Sequence, residues 1–200
     1  MQQPMSAPYP ATFTFDPPEK VANWRPLVQW LLAIPHFVVL YVLGFVSEVL
    51  GLVSWIVILF TGELPEGLAN VQVLYIRYST RAFTYAAFMR EEYPPFTFDM
   101  TPTDPGDDPR VRVDIVPELT NRNRLTCAFR VILVIPQFIV LAVLWLAGAI
   151  ALVIAFFAVL FTGQWPPGLR DFVVKLMRWN QRVQAYFLLL TDQYPPFALD

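Results

Sequence analysis

The sequence predicts a mainly α-helical integral membrane protein built from two tandem copies of one unit. Three observations carry that expectation: an apolar composition, two long runs almost free of charge, and an internal repeat held in one register. Of the 200 residues, 56% are hydrophobic and 15% are charged, and the mean hydropathy is +0.48. A soluble domain usually carries about a quarter charged residues. The net charge of -2 argues against a nucleic-acid partner, which calls for a basic face or stripe. Cys127 is the one cysteine and His36 the one histidine. Neither an intramolecular disulfide, nor a cysteine cage, nor a three-histidine zinc site can be assembled within one chain. No metal and no cofactor is therefore expected.

The repeat sets the organisation. Ile34-Pro35-His36-Phe37 returns as Ile135-Pro136-Gln137-Phe138, and Leu59-Phe60-Thr61-Gly62 as Leu160-Phe161-Thr162-Gly163. Pro65-Glu66-Gly67-Leu68 returns as Pro166-Pro167-Gly168-Leu169, and Tyr93-Pro94-Pro95-Phe96 as Tyr194-Pro195-Pro196-Phe197. The offset is constant, 135 − 34 = 101 and 194 − 93 = 101. Arg77, Arg81 and Tyr85 match Arg178, Arg182 and Tyr186 in the same register. The apolar residues between these markers have drifted, as interchangeable apolar side chains of similar size can. Repeat one is placed at 1–99 and repeat two at 110–200. Between them 100–109, with Pro102, Pro105, Gly106 and Pro109, reads as an exposed linker.

Leu27 to Phe60 is apolar apart from Gln29, His36, Ser47, Glu48 and Ser54, and Val131 to Phe161 contains no charge. Runs beyond about 18 apolar residues read as membrane spans. One straight helix over the first run would be about 51 Å long at 1.5 Å per residue, against a hydrocarbon core of about 30 Å. The expectation is therefore a transmembrane helical hairpin in each repeat. Its spans fall at about 27–43 and 46–60, and at about 128–144 and 147–161, with turns near Gly44–Glu48 and Trp145–Gly148. No lysine or arginine lies between Pro26 and Ile76 or between Val131 and Leu169. Two crossings per repeat put every basic residue on one face, which the positive-inside rule makes cytoplasmic. Pro35 and Pro136 fall in the first span of each copy, where proline kinks a helix. The start, Met1-Gln2-Gln3-Pro4 and a proline-rich stretch to Glu19, lacks the basic end and apolar core of a secretory signal. The first span is expected to act as an uncleaved insertion signal.

Beyond each hairpin the pattern predicts an amphipathic interfacial helix, at 68–89 and 169–190. At 100° per residue Arg77 and Arg81 share one narrow face, as do Arg178 and Arg182, and aromatic and aliphatic residues fill the rest. A helix with one basic stripe suits the membrane interface, where arginine can reach lipid phosphates. Arg77, Arg81, Tyr85, Arg178, Arg182 and Tyr186 are therefore candidate lipid or partner contacts. The alternative is that the arginines anchor the helix or pair with Asp171, Glu91 or Asp192. Thr12-Phe13-Thr14-Phe15 and Val111–Ile115 alternate with period two. Together with 96–98 and 197–199, which follow the Tyr-Pro-Pro motifs, they predict short β-strands forming a small sheet on the cytoplasmic side.

No phosphate loop, nucleophile elbow or His-Glu-x-x-His helix is present. Glu48, Glu63 and Glu66 are replaced by Ala149, Gln164 and Pro167 in repeat two, so no carboxylate pair is repeated. The pattern does resemble a known family of bacterial membrane proteins, the domain of unknown function numbered 4389. The resemblance rests on Ala33-Ile34-Pro35-His36-Phe37, Leu59-Phe60-Thr61-Gly62, Pro65-x-Gly67-Leu68, Arg178-Trp179, Arg182 and Leu190-Thr191-Asp192-Gln193-Tyr194-Pro195-Pro196-Phe197. Repeat one departs from it at Met89-Arg90-Glu91. The resemblance implies a bacterial membrane setting and no activity. The expected function is thus non-enzymatic: an accessory or scaffold subunit of a membrane complex, or a lipid-binding protein. It would sit in the bacterial inner membrane as a multi-pass chain with both termini cytoplasmic. Its expected partners are membrane lipids and other membrane proteins or a second copy of itself. A small transporter or channel formed by the two repeats is the alternative.

Overall fold

Alternating residues Ala11–Phe15 form β1, which buries Ala11 and Phe13. Three helices follow: α1 over Arg25–Leu32, α2 over Ile34–Thr61 and α3 over Glu66–Ala86. The second strand, β2, covers Val111–Ile115, and then come α4 over Arg124–Ala128, α5 over Arg130–Thr162 and α6 over Pro167–Phe187. This computed structural model describes residues 9–200, and the Met1-Gln2-Gln3-Pro4 start lies outside them.

The hairpin expectation is overturned. α2 runs unbroken through Gly44–Glu48, and α5 runs unbroken through Trp145–Gly148. Neither glycine makes a turn: Gly148 allows a close approach, while Gly44 sits in ordinary contact. A Cβ on Gly148 would come within 3.0 Å of a Leu176 methyl group, and one on Gly44 within 3.7 Å of the Tyr75 ring. Each long helix thus has a small-residue stripe against the helix that follows it. Pro35 occupies the first turn of α2, where its missing N–H costs nothing, while Pro136 lies inside α5.

Both long helices end on a left-handed glycine, Gly62 at φ 77° and Gly163 at φ 70°. The two differ in what surrounds them. A Cβ on Gly163 would meet the Val21 carbonyl oxygen at 3.0 Å, whereas one on Gly62 would meet the movable Arg124 side chain at 3.2 Å. Left-handed geometry costs an L-residue roughly 1–2 kcal/mol. Gly62→Ala should lose about that much, and Gly163→Ala distinctly more, because a backbone oxygen cannot step aside. Thermal unfolding of the two variants side by side tests the order.

α3 packs antiparallel on α2, α6 packs likewise on α5, and α3 and α6 meet between the two repeats. Thr80 of α3 accepts a 2.7 Å hydrogen bond from Gln181 of α6 at that meeting. β1 and β2 pair antiparallel, with Phe13 opposite Val113, and lie against α6 and α3. Among the described residues the sheet has two strands, not four. Residues 96–98 and 197–199 are irregular, and their polar groups are used by arginines: Thr97 Oγ1 accepts from Arg81 and the Ala198 carbonyl from Arg182.

The expected interfacial helices are middle-layer helices. α3 buries residues on nearly every side, including Arg77 and Arg81. They end near the expected positions because Phe88 and Leu189, again 189 − 88 = 101 apart, take positive φ values of 45° and 65°.

Ends are exchanged between the repeats. The Val21 N–H donates to the Gly163 carbonyl at 2.8 Å, and the Arg122 N–H to the Gly62 carbonyl at 3.0 Å. Trp55 in α2 donates its indole N–H to the Cys127 carbonyl of α4. The start of each long helix therefore lies at the end of the other, so α2 and α5 run in opposite directions.

Candidate functional site

The six candidate contact residues do not line a surface as a group. Arg77, Arg81, Tyr85, Arg182 and Tyr186 are buried, and Arg178 is half-buried. The expected lipid contact through Arg77, Arg81, Arg182 and the two tyrosines is thereby corrected. Arg77 donates to the carbonyls of Val113, Asp99 and Thr101, at 3.3, 3.2 and 2.8 Å. Arg81 forms a 2.7 Å ion pair with Asp104, whose side chain is 0% exposed. Arg178 reaches the Phe13 carbonyl of β1 at 3.1 Å, as Arg77 reaches β2. Arg182 pairs with Asp200 at 2.6 Å. The repeated arginines thus tie the middle helices to the strand and linker layer. Burial draws the Arg77 guanidinium below its usual range, although the Asp104 charge opposes this.

Asp171, Glu91 and Asp192 are not the partners of these arginines. Asp192 pairs with Arg122 at 2.7 Å and with Arg130, and it also accepts the Asn123 N–H at 2.7 Å. Burial alone would raise the Asp192 carboxyl. Hydrogen bonds from Arg122 and Asn123, with the charges of Arg122 and Arg130, outweigh it and bring the group down to about 2. Glu91 is its repeat counterpart, 192 − 101 = 91. It accepts the Ala22 N–H and pairs with Arg25 at 3.6 Å. The departure at Met89-Arg90-Glu91 therefore keeps the carboxylate in place. Arg90, which has no charged counterpart, is fully buried and donates to both oxygens of Asp108 at 2.5 and 2.6 Å.

Other repeat positions keep the contact and change the chemistry. Gln29 donates to the Tyr85 and Arg90 carbonyls, and Arg130, at 29 + 101 = 130, to those of Tyr186 and Thr191. His36 Nδ1 lies 2.7 Å from the Tyr78 hydroxyl, and Gln137 accepts the Trp179 indole N–H at 2.8 Å. His36 also stacks on Phe96. Cys127 is buried beside Asp192 and Arg130, and burial pushes its thiol up. His36 and Cys127 thus have separate neighbours and form no nucleophile–base pair. Among the described residues, no group of three or more His, Cys, Asp or Glu side chains could hold a metal ion.

With the charges turned inward, the outer surface of the long helices is apolar. Both are long and apolar enough to cross a membrane, yet only 17% of the most apolar stretch of α2 and 22% of that of α5 is buried. A core helix of a soluble protein would be mostly buried. Tyr41 is 81% exposed, Phe60 80% and Phe161 76%, and Phe45, Val143 and Leu146 are similarly open. Large exposed apolar patches mark interaction surfaces for protein, membrane or ligand. Two cavities open between the long helices. One, of about 430 Å³, is walled by Leu52, Trp55, Val131 and Phe187, with Glu48 and Arg130 at its edge. The other, of about 250 Å³, has Phe37 and Trp145 as walls and Thr80 and Gln181 at its floor.

This is a duplicated helical unit whose two long apolar helices are carried on a polar, arginine-pinned base. The chain belongs to the family described as a domain of unknown function (DUF4389), whose model matches residues 23–97 and again residues 124–198. The two matches are offset by 124 − 23 = 101, the interval of the repeat. No curated protein and no solved structure matches the chain.

Proposed function

We propose that the chain is a non-enzymatic resident of the bacterial inner membrane, an accessory or scaffold subunit that meets lipid and a membrane partner through the outer faces of α2 and α5. The observation that carries this reading is the length of exposed apolar surface on both helices, with the arginines turned inward and engaged. Apolar side chains left in water across two such helices would each forgo roughly 1.5–3 kcal/mol of burial. The 430 Å³ cavity, lined mainly by apolar side chains and opening on that surface, suits an acyl chain. The multi-pass hairpin topology is not part of the proposal, because α2 and α5 are unbroken.

Purification from native membranes in a mild detergent, with mass spectrometry of bound proteins and lipids, tests it. The expected result is a membrane-fraction protein with a stoichiometric protein partner. Recovery in the soluble fraction, or turnover of a lipid headgroup by the pure chain, overturns it.

A further inference from the structure

The long helices are at or beyond the length of one bilayer span. At 1.5 Å per residue the 28 residues of α2 and the 33 of α5 measure about 42 and 50 Å. With its headgroups a bilayer is about 40–45 Å thick, which α2 matches and α5 exceeds, so α5 would span it only with tilt.

The chain path makes the stronger argument. α3 ends beside the start of α2, where the Tyr85 carbonyl accepts from Gln29 at 2.8 Å. The chain next appears at the far end of α2, where Arg122 meets Gly62. Residues 87–121 cover that distance with no helix and only the strand β2. They carry Asp99, Asp107 and Arg112, all exposed. If α2 crossed the membrane, this polar, largely irregular segment would have to cross beside it. Lipid-exposed irregular backbone does not occur in the hydrocarbon region, because nothing there satisfies its N–H and C=O groups.

Symmetry points the same way. α2 and α5 are antiparallel, so crossing helices would place the two repeats in opposite orientations. The repeats carry matching arginines at Arg77 and Arg178 and at Arg81 and Arg182. Helices lying flat are both equivalent to the membrane, with the two-fold relation along its normal.

We infer that α2 and α5 lie in the plane of the membrane and seat their exposed faces among the acyl chains of one leaflet, so that no segment crosses. The strands and linker, on the far side of α3 and α6, face water on that same side. Trp24 and Trp30, 50% and 56% exposed at α1, stand where the headgroups would meet the helix start. This rests on the proposed membrane residence and adds its topology.

The test is impermeant maleimide labelling of the full chain in sealed membrane vesicles of known orientation. Cys127 is 0% exposed, so the unaltered chain serves as the blank. Lys20→Cys, Glu63→Cys, Asp107→Cys and Gln164→Cys, made singly, should all label from one face and none from the other. Lys20 and Glu63 flank α2, so labelling of those two from opposite faces overturns the inference. Labelling of Glu48→Cys from the face opposite Lys20→Cys overturns it equally. A fluorophore on Tyr41→Cys in reconstituted vesicles should be quenched by lipids brominated on the acyl chain. Cross-linking of that position to a second copy without quenching would make the face an interface between chains and reject the leaflet. Recovery of the unaltered chain outside the membrane fraction would instead reject membrane residence itself.

Discussion

Asp104→Ala should unfold far more readily than the parent chain, by about 3–5 kcal/mol, the cost of leaving a buried charge without its partner. For a chain of this size that corresponds to a fall in Tm on the order of 10 °C, read in detergent micelles. Asp104 is fully buried and accepts from Arg81 at 2.7 Å and from the backbone N–H groups of Gly106 and Val113 at 2.9 Å each. Arg77 stands 3.4 Å away. Removal strands two arginines that are each 2% exposed and two backbone donors at once. Arg77 retains its four carbonyl partners, which limits the damage and makes Arg81 the larger contributor. Asp107→Ala, three residues along and exposed, is the control and should stay within about 0.5 kcal/mol of the parent. A drop no larger than the control's would mean that the linker is not pinned to α3 through this carboxylate.

Asp192→Asn should cost a similar 3–5 kcal/mol, and it should also change the pH dependence. Arg122 and Arg130, the two arginines facing Asp192, have side chains 0% and 1% exposed. Because the folded carboxyl titrates at about 2, below its unfolded value, the group binds fewer protons folded than unfolded. Its contribution is complete above about pH 4 and disappears as the pH falls through 2. The shift corresponds to roughly 2.5 kcal/mol at neutral pH. Unfolding of the parent chain between pH 5 and 2 should show that loss, and Asp192→Asn should show a flatter limb. Glu91→Gln, at the equivalent position but 38% exposed with its arginine 3.6 Å away, should lose less than about 1 kcal/mol. Equal losses at the two sites would contradict the difference in burial.

The duplication, its register and the helical class were legible because proline, glycine and aromatic punctuation is local chemistry. Ile34-Pro35 begins α2, and Thr61-Gly62 closes it with a left-handed glycine, as the motif implies. The hairpin expectation fails because a 34-residue apolar run is longer than one hydrocarbon core, which suggested a break, whereas the structure keeps one continuous helix there. Gly44 and Gly148 then looked like turns, whereas Tyr75 and Leu176 from another helix explain them. The arginine stripe was legible as a stripe. Its partner was not, since Asp104 lies 23 residues from Arg81 in a segment that reads as exposed linker. Two further repeat pairs carry structural contacts: 192 − 101 = 91 places a carboxylate in both copies, and 29 + 101 = 130 places a long polar side chain in both. Those pairs mark the contacts that close each repeat.

The exchanged ends bear on ancestry. Val21 donates to the Gly163 carbonyl and Arg122 to the Gly62 carbonyl, so the outward carbonyl of each capping glycine is satisfied from the other repeat. A half-length chain of one repeat would leave that carbonyl open and its apolar stripe short of a neighbour. A second identical half-chain, rotated by half a turn, fills both vacancies at once. The present molecule has the geometry of such a reciprocal homodimer after its two subunits were joined head to tail. The linker at 100–109 is then the join, and with the repeat ends on either side of it the chain from 87 to 121 carries one half to the far end of the other.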